Sequence, residues 1–159
     1  MARMSLKFIY LLVFAFMMTP WASPASAAQV SIPPMAGKPG QVLDIPVMID
    51  QVDNLAGVKL VIRYEKQILV YRKGVKTKYT GSLMHIINDK KPGLLIAVMA
   101  GARGIQGKDF PILVFTFQIA RDLKERLETR LEIQEVQLMS DKLKDIAYQI
   151  KVSPLTITP

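Results

Sequence analysis

The sequence predicts an all-β sandwich, and three observations carry that expectation. Short runs alternate apolar and polar residues, the period of a half-buried strand. Gly, Pro, Asn and Asp cluster between those runs as turn signals. Only residues 121–128 carry a helical period, so the chain is expected to hold at most one short helix or helical turn.

The first 27 residues stand apart from that pattern. Arg3 and Lys7 form a short positive region, Phe8 to Met18 is an uninterrupted apolar run of 11 residues, and Ala25-Ser26-Ala27 has the small-residue form of a cleavage site. These are the marks of a secretory signal peptide over residues 1–27. The run is too short for a hydrocarbon layer about 30 Å thick, and no second one follows, so the mature chain is expected not to span a membrane. Residues 28–159 then form one domain, large enough to bury a sizeable core and too small to divide into two.

Within that domain, the turn signal Gly37-Lys38-Pro39-Gly40 sets backbone geometry ahead of a strand. In the strand, Leu43, Ile45, Val47 and Ile49 alternate with Asp44, Pro46 and Met48. Pro46 has no N–H for a ladder, which predicts an edge position or a bulge. The clearest strand follows, with Val58, Leu60, Ile62 and Tyr64 on one face and Lys59, Val61 and Arg63 on the other. Short strands are expected at residues 68–72 and 83–87, and the turn Asn88 to Gly93 leads into the apolar run 94–100. Gly101, Gly104 and Gly107 predict a loop. Leu113, Phe115, Phe117 and Ile119 alternate again. Leu123 and Leu127 sit four apart among charges, as on an amphipathic helix. Leu131 and Ile133 followed by Val136 and Leu138 predict a strand whose parity slips near Gln134 or Glu135, as a β-bulge would cause.

Composition narrows the function. Residues 28–159 hold 19 Lys and Arg against 13 Asp and Glu, a net charge of +6 that favours acidic partners or anionic surfaces. The chain has no cysteine, which excludes disulfides, thiol catalysis, thiolate metal sites and the lipid-acceptor residue of a bacterial lipoprotein. Export to the periplasm or the extracellular space is therefore expected, with any retention left to a partner. His85 is the only histidine, so a histidine metal cluster is excluded and a hydrolase triad would have to be assembled around it. Ser31, Ser82, Ser140 and Ser153 lie in no nucleophile-elbow sequence. Asp50, Asp53 and Asn54 lack the glycine and distal glutamate of an EF-hand loop and read as a polar turn. The expectation is a non-catalytic binding module, monomeric, with no metal or other cofactor.

Four segments, in their order and spacing, resemble the cohesin domains: GKPGQVLDIPV, NLAGVKLVIRYEKQIL, LLIAVMAGARG and GKDFPILVFTFQI. The resemblance runs through most of residues 28–159 and implies a nine-stranded jelly-roll sandwich. It also implies that one flat sheet face docks a dockerin module, as in assemblies that degrade polysaccharides or decorate cell surfaces. That face includes the strands matching Val58 to Tyr64 and Leu94 to Ala100. Alternation turns Lys59, Val61 and Arg63 outward, and alignment with the family places Ile96 and Val98 beside Val61. Residues 94–100 are apolar on both faces, so the opposite parity, with Ile96 and Val98 in the core, stays open at this point. The family's best-studied members carry polar and acidic groups where Gly57 and Lys59 stand here. The implied partner is a divergent dockerin-like module or an envelope component.

Residues 71–79 offer a second candidate. Arg72, Lys73, Lys76 and Lys78 surround Gly74, with Tyr71 and Tyr79 at the ends, a mixture able to contact polyanions. Export makes nucleic acid a poor ligand and leaves an anionic glycan or headgroup, while a solvated hairpin loop is the plainer reading. A carbohydrate-binding module of the related sandwich fold, with a polysaccharide ligand, is the alternative function. Its support is mainly Tyr71 and Tyr79, because Trp21 leaves with the signal and several of Tyr64, Phe110, Phe115, Phe117 and Tyr148 look core-directed. A structural subunit of an envelope assembly is the third class.

Overall fold

The computed structural model describes residues 27–159, and the signal peptide expected ahead of Ala28 falls outside them save for Ala27. In chain order the strands are β1 (Ala28–Ile32), β2 (Met35–Gly37), β3 (Val42–Arg63), β4 (Leu69–Lys76), β5 (Met84–Asn88), β6 (Leu94–Ile119), β7 (Leu127–Thr129), β8 (Glu132–Met139), β9 (Tyr148–Val152) and β10 (Leu155–Ile157). Among the described residues there is no helix, and so none long and apolar enough to cross a membrane.

Two long strands build both layers of an all-β sandwich. Residues 42–52 of β3 pair antiparallel with residues 107–118 of β6, and β4, β1 and β9 widen that pair in the order β4-β6-β3-β1-β9. Residues 57–63 of β3 pair with residues 94–100 of β6, flanked by β5 on the β6 side and β8 on the β3 side. Register shifts between Val52 and Leu55 and between Leu55 and Gly57 separate the halves. Extra residues in one strand of a pair bend it and raise its twist, which lets one pair serve two sheets. A small ladder, β2-β10-β7, buries Leu155 and Ile157.

Among the described residues ten strands are present where nine were expected. β3 and β6 each run unbroken through what alternation divides in two, and β2, β7 and β10 add three residues each. The loop expected at Gly101 to Gly107 is also strand, paired through Ile105 with Leu55 and Gly107 with Val52. Close approach explains its glycines: a Cβ on Gly104 would collide with the side chain of Asn54 and come within 2.9 Å of its carbonyl carbon. Asp50 to Asn54, read as a turn, likewise lies within β3 at the bend.

Residues 121–128 are not a helix. Arg121 and Asp122 make a turn, Leu127 opens β7, and β7 gives its backbone groups to β10 through Leu127↔Ile157 and Thr129↔Leu155. Leu123 and Leu127 still pack against the core, so their burial is met in extended form.

Other local readings match the coordinates. Gln41 N–H donates to the Lys38 carbonyl at 3.0 Å, closing a turn in which Gly40 takes φ +79°, a value that favours glycine. β1 reaches only Met48 and Ile49 of β3, so Pro46 has no partner there, and a register shift follows between Val47 and Met48. In β8, Glu135 faces Val61 while Ile133 faces Ile62, leaving Gln134 as the extra residue of a bulge. The core takes the inward residues of both layers, among them Ile45, Val47, Leu60, Ile62, Leu95, Phe115 and Phe117.

Candidate functional site

Cross-strand register arranges the outer face of β5-β6-β3-β8 in rows. Met84, Ala100, Gly57 and Met139 form the first, Ile86, Val98, Lys59 and Gln137 the second, and Asn88, Ile96, Val61 and Glu135 the third. Leu94, Arg63 and Glu132 form the fourth. Strands lie about 4.8 Å apart, so neighbours within a row touch. Val58, Leu60, Ile62, Leu95, Ala97 and Met99 point the other way and are buried. Lys59, Val61, Arg63, Ile96 and Val98 thus share one surface, with Val98 44% exposed and Val61 and Ile96 half-buried.

This surface is apolar toward β5 and polar toward β8. Met84 is 76% and Ile86 73% exposed, values far above those of most large apolar side chains in a folded domain. Toward β8, Lys59 Nζ meets Glu135 Oε1 at 2.6 Å, both side chains remaining in contact with solvent. Between these regions lies a hollow of about 200 Å³ lined by Gly57, Lys59, Val98, Ala100, Gln137 and Met139. Gly57 keeps it open, because a Cβ there would press on the Met139 Cβ at 3.2 Å. An apolar centre with a hydrogen-bonding margin is what a protein partner can desolvate.

Sequence reasoning missed Met84, Ile86, Ala100, Gln137 and Met139. Alternation in residues 84–88 was available but faint, since Ile86 faces out while the adjacent Ile87 packs on the core, two isoleucines with no polar contrast.

The basic stretch takes a different form from a hairpin loop. Residues 71–76 belong to β4, bonded to β6, because Val75 and Lys76 continue the ladder to Val114 and Leu113. Arg72 donates to Gln118 Oε1, and Lys76 Nζ donates to the carbonyls of Leu83 at 2.6 Å and Gly81 at 2.9 Å. Lys78 Nζ stands 5.1 Å over the Tyr79 ring, and Lys73 is exposed. The tyrosines share no flat strip: Tyr71 stands edge-on to Phe115 and Phe117, whereas Tyr79 lies against Phe110. Burial pushes the Tyr71 hydroxyl up to about 12, with the Asp89 carboxylate and Tyr64 adding to the effect. His85 is exposed on β5.

Comparison with known proteins agrees with this architecture. The family model described as "Cohesin domain" matches residues 28–155. A non-cellulosomal cohesin from the hyperthermophilic archaeon Archaeoglobus fulgidus superposes with a TM-score of 0.73 at 16% identity, over 84% of this chain and 93% of that one. A cohesin of Clostridium acetobutylicum gives 0.71 at 18% identity, over 84% and 91%. A type I cohesin–dockerin complex from Clostridium thermocellum gives 0.71 at 14% identity, over 86% and 96%. Among curated proteins none matches.

Proposed function

The chain belongs to the cohesin family, and on that premise we propose that it is an exported, non-catalytic docking module whose β5-β6-β3-β8 face binds a dockerin-like protein. The observation that carries this reading is the apolar area of Met84, Ile86, Val98, Ile96 and Val61 beside the Lys59–Glu135 pair. Arg63 and Gln137 extend its polar margin. The related complex from Clostridium thermocellum pairs a cohesin with a dockerin, which supports a protein as the ligand class. Lys59 and Gly57 replace the acidic and polar groups of the family's familiar first strand, so the partner's contact surface is expected to be more apolar than theirs. The domain works as a monomer, in the periplasm or outside the cell.

Titration calorimetry against a panel of calcium-loaded dockerin modules tests this reading. Binding that vanishes when calcium is chelated supports it, since such loops fold on the metal. Val98→Asp and Ile86→Asp should each weaken that binding by about 2 kcal/mol while melting stays in place. Undiminished binding by both variants would move the site elsewhere. The carbohydrate alternative, resting on Tyr71 and Tyr79, gains from neither residue's packing and predicts retention on insoluble polysaccharide instead.

A further inference from the structure

The start of β1 coincides with the end of the leader motif. Ala25-Ser26-Ala27 precedes it in sequence, and β1 begins at Ala28, the next residue. Ala28 is only 3% exposed, its N–H donates to the Ala147 carbonyl at 2.8 Å, and it pairs in register with Tyr148 of β9. On the other side, the β1–β3 ladder stops at Val30↔Ile49, and the Asp50 carboxylate takes over. Asp50 Oδ1 accepts from Gln29 N–H at 2.7 Å and from Gln51 N–H at 2.6 Å. Ala27 and Ala28 form part of the wall of a cavity of about 340 Å³ that Asp50, Asp53 and Asn54 also line.

We propose that the chain is cut between Ala27 and Ala28 and that the ammonium so formed is a structural group of the mature fold. A leader-removing endopeptidase of the exporting cell would add water across that amide, leaving Ala27 with the carboxylate and Ala28 with the amine. Near neutral pH most of that amine is protonated. One of its hydrogens would keep the bond to Ala147, and Ala28 shares the lining of a cavity with Asp50 and Asp53. A neutral amide becomes a cation beside opposite charge, where water is partly excluded and attraction is less screened than in bulk solvent. Cutting one residue later would remove a buried methyl group and the bond to Ala147. Cutting earlier would move the charge away from Ala28 along the chain.

This inference is independent of the docking face, and its test needs no partner. The full chain, residues 1–159, is exported from a bacterial host and the product is sequenced from its amino end. Ala-Gln-Val-Ser-Ile is expected; retention of the leader, or a start at any other residue, overturns the proposed cut. A second exported chain carries a glycine inserted between Ala27 and Ala28, which moves the ammonium one residue outward. It should melt about 2–4 °C below the parent, the shift of roughly one lost charge contact in a domain of this size. Asp50→Asn, combined with Asp53→Asn, should erase most of that difference. Should Asp50→Asn not fold, Asp53→Asn alone, at an exposed position, should shrink it. Equal melting of the parent and the glycine-inserted chain overturns the structural role of the ammonium.

Discussion

The outer faces of the two sheets are built from similar strands and differ in what their side chains do. On β4-β6-β3-β1-β9, polar groups answer one another across strands: Thr116 donates to Asp44 at 2.5 Å, Arg72 bonds Gln118, and Gln118 donates to the Gly40 carbonyl at 3.2 Å. Val42 and Val70 stand exposed there on either side of the bonded Gln118, and Val75 stands exposed beside Val114 and Pro46. On β5-β6-β3-β8, Ile86 adjoins Val98, Asn88 adjoins Ile96, Val61 adjoins Ile96, and the Lys59–Glu135 ion pair lies at the β8 side. The first face carries more side-chain hydrogen bonds across its strands. The other leaves Met84, Ile86 and Val98 exposed in adjoining rows, and that difference is what the proposed docking face rests on.

The largest effect expected separates the inside of the second sheet from its outside. Leu60 is fully buried and Val61, one residue on, looks outward. Leu60→Asp would leave an unpaired carboxylate in the core and should cost several kcal/mol, enough to unfold much of the population. Val61→Asp should shift stability by less than about 1 kcal/mol. Urea denaturation of the pair decides the matter, and comparable losses would break the distinction between the two faces of this strand.

Next in size is the contact between the layers. Gly74 of β4 faces Ile87 of β5, and a Cβ at Gly74 would collide with the Ile87 methyl and press on the Phe115 ring at 3.1 Å. Gly74→Ala should therefore cost about 1–3 kcal/mol through overpacking, and Ile87→Val in the same chain should recover part of it. Additive losses in that double mutant would mean that the strands do not meet as described.

A smaller effect belongs to the Lys59–Glu135 pair. Its side chains are 39% and 50% exposed, so solvent screens it and a double-mutant cycle with alanine should report about 0.2–1 kcal/mol of coupling, diminishing with salt. A coupling of several kcal/mol would turn this pair from a feature of the docking margin into a stabilising element of the sheet.

Strands with polar contrast were legible in the sequence, and those without it were not. Leu60 and Val61 were told apart because Lys59 and Arg63 flank Val61, and the β8 bulge was visible because Ile133 and Val136 break parity. Ile86 and Ile87 give no such contrast, so the most exposed part of the candidate face was not read from alternation. Leu123 and Leu127 misled for another reason: a spacing of four suits one helix face, and it also suits a turn followed by a strand when β10 supplies the ladder. The glycines at 101, 104 and 107 marked crowding by Leu83, by Asn54 of β3 and by the Phe110 ring, which in sequence looks the same as a loop.

A further effect lies on the first sheet and appears only in alkali. The Tyr71 hydroxyl, held up to about 12 chiefly by burial, would ionise at about 10 in the unfolded chain. Between those values the unfolded state has released a proton that the folded state still keeps, so stability falls as pH rises. The contribution of this group is complete below about pH 10 and is lost on the way to the folded value. Tyr71→Phe keeps the ring against Phe115 and Phe117 and removes the titration, so its stability should decline less steeply over that window than that of the parent. If the Tyr71→Phe curve ran parallel to that of the parent, burial of Tyr71 would not be felt by its hydroxyl, and this ring would be as free for a ligand as the side chains of the docking face.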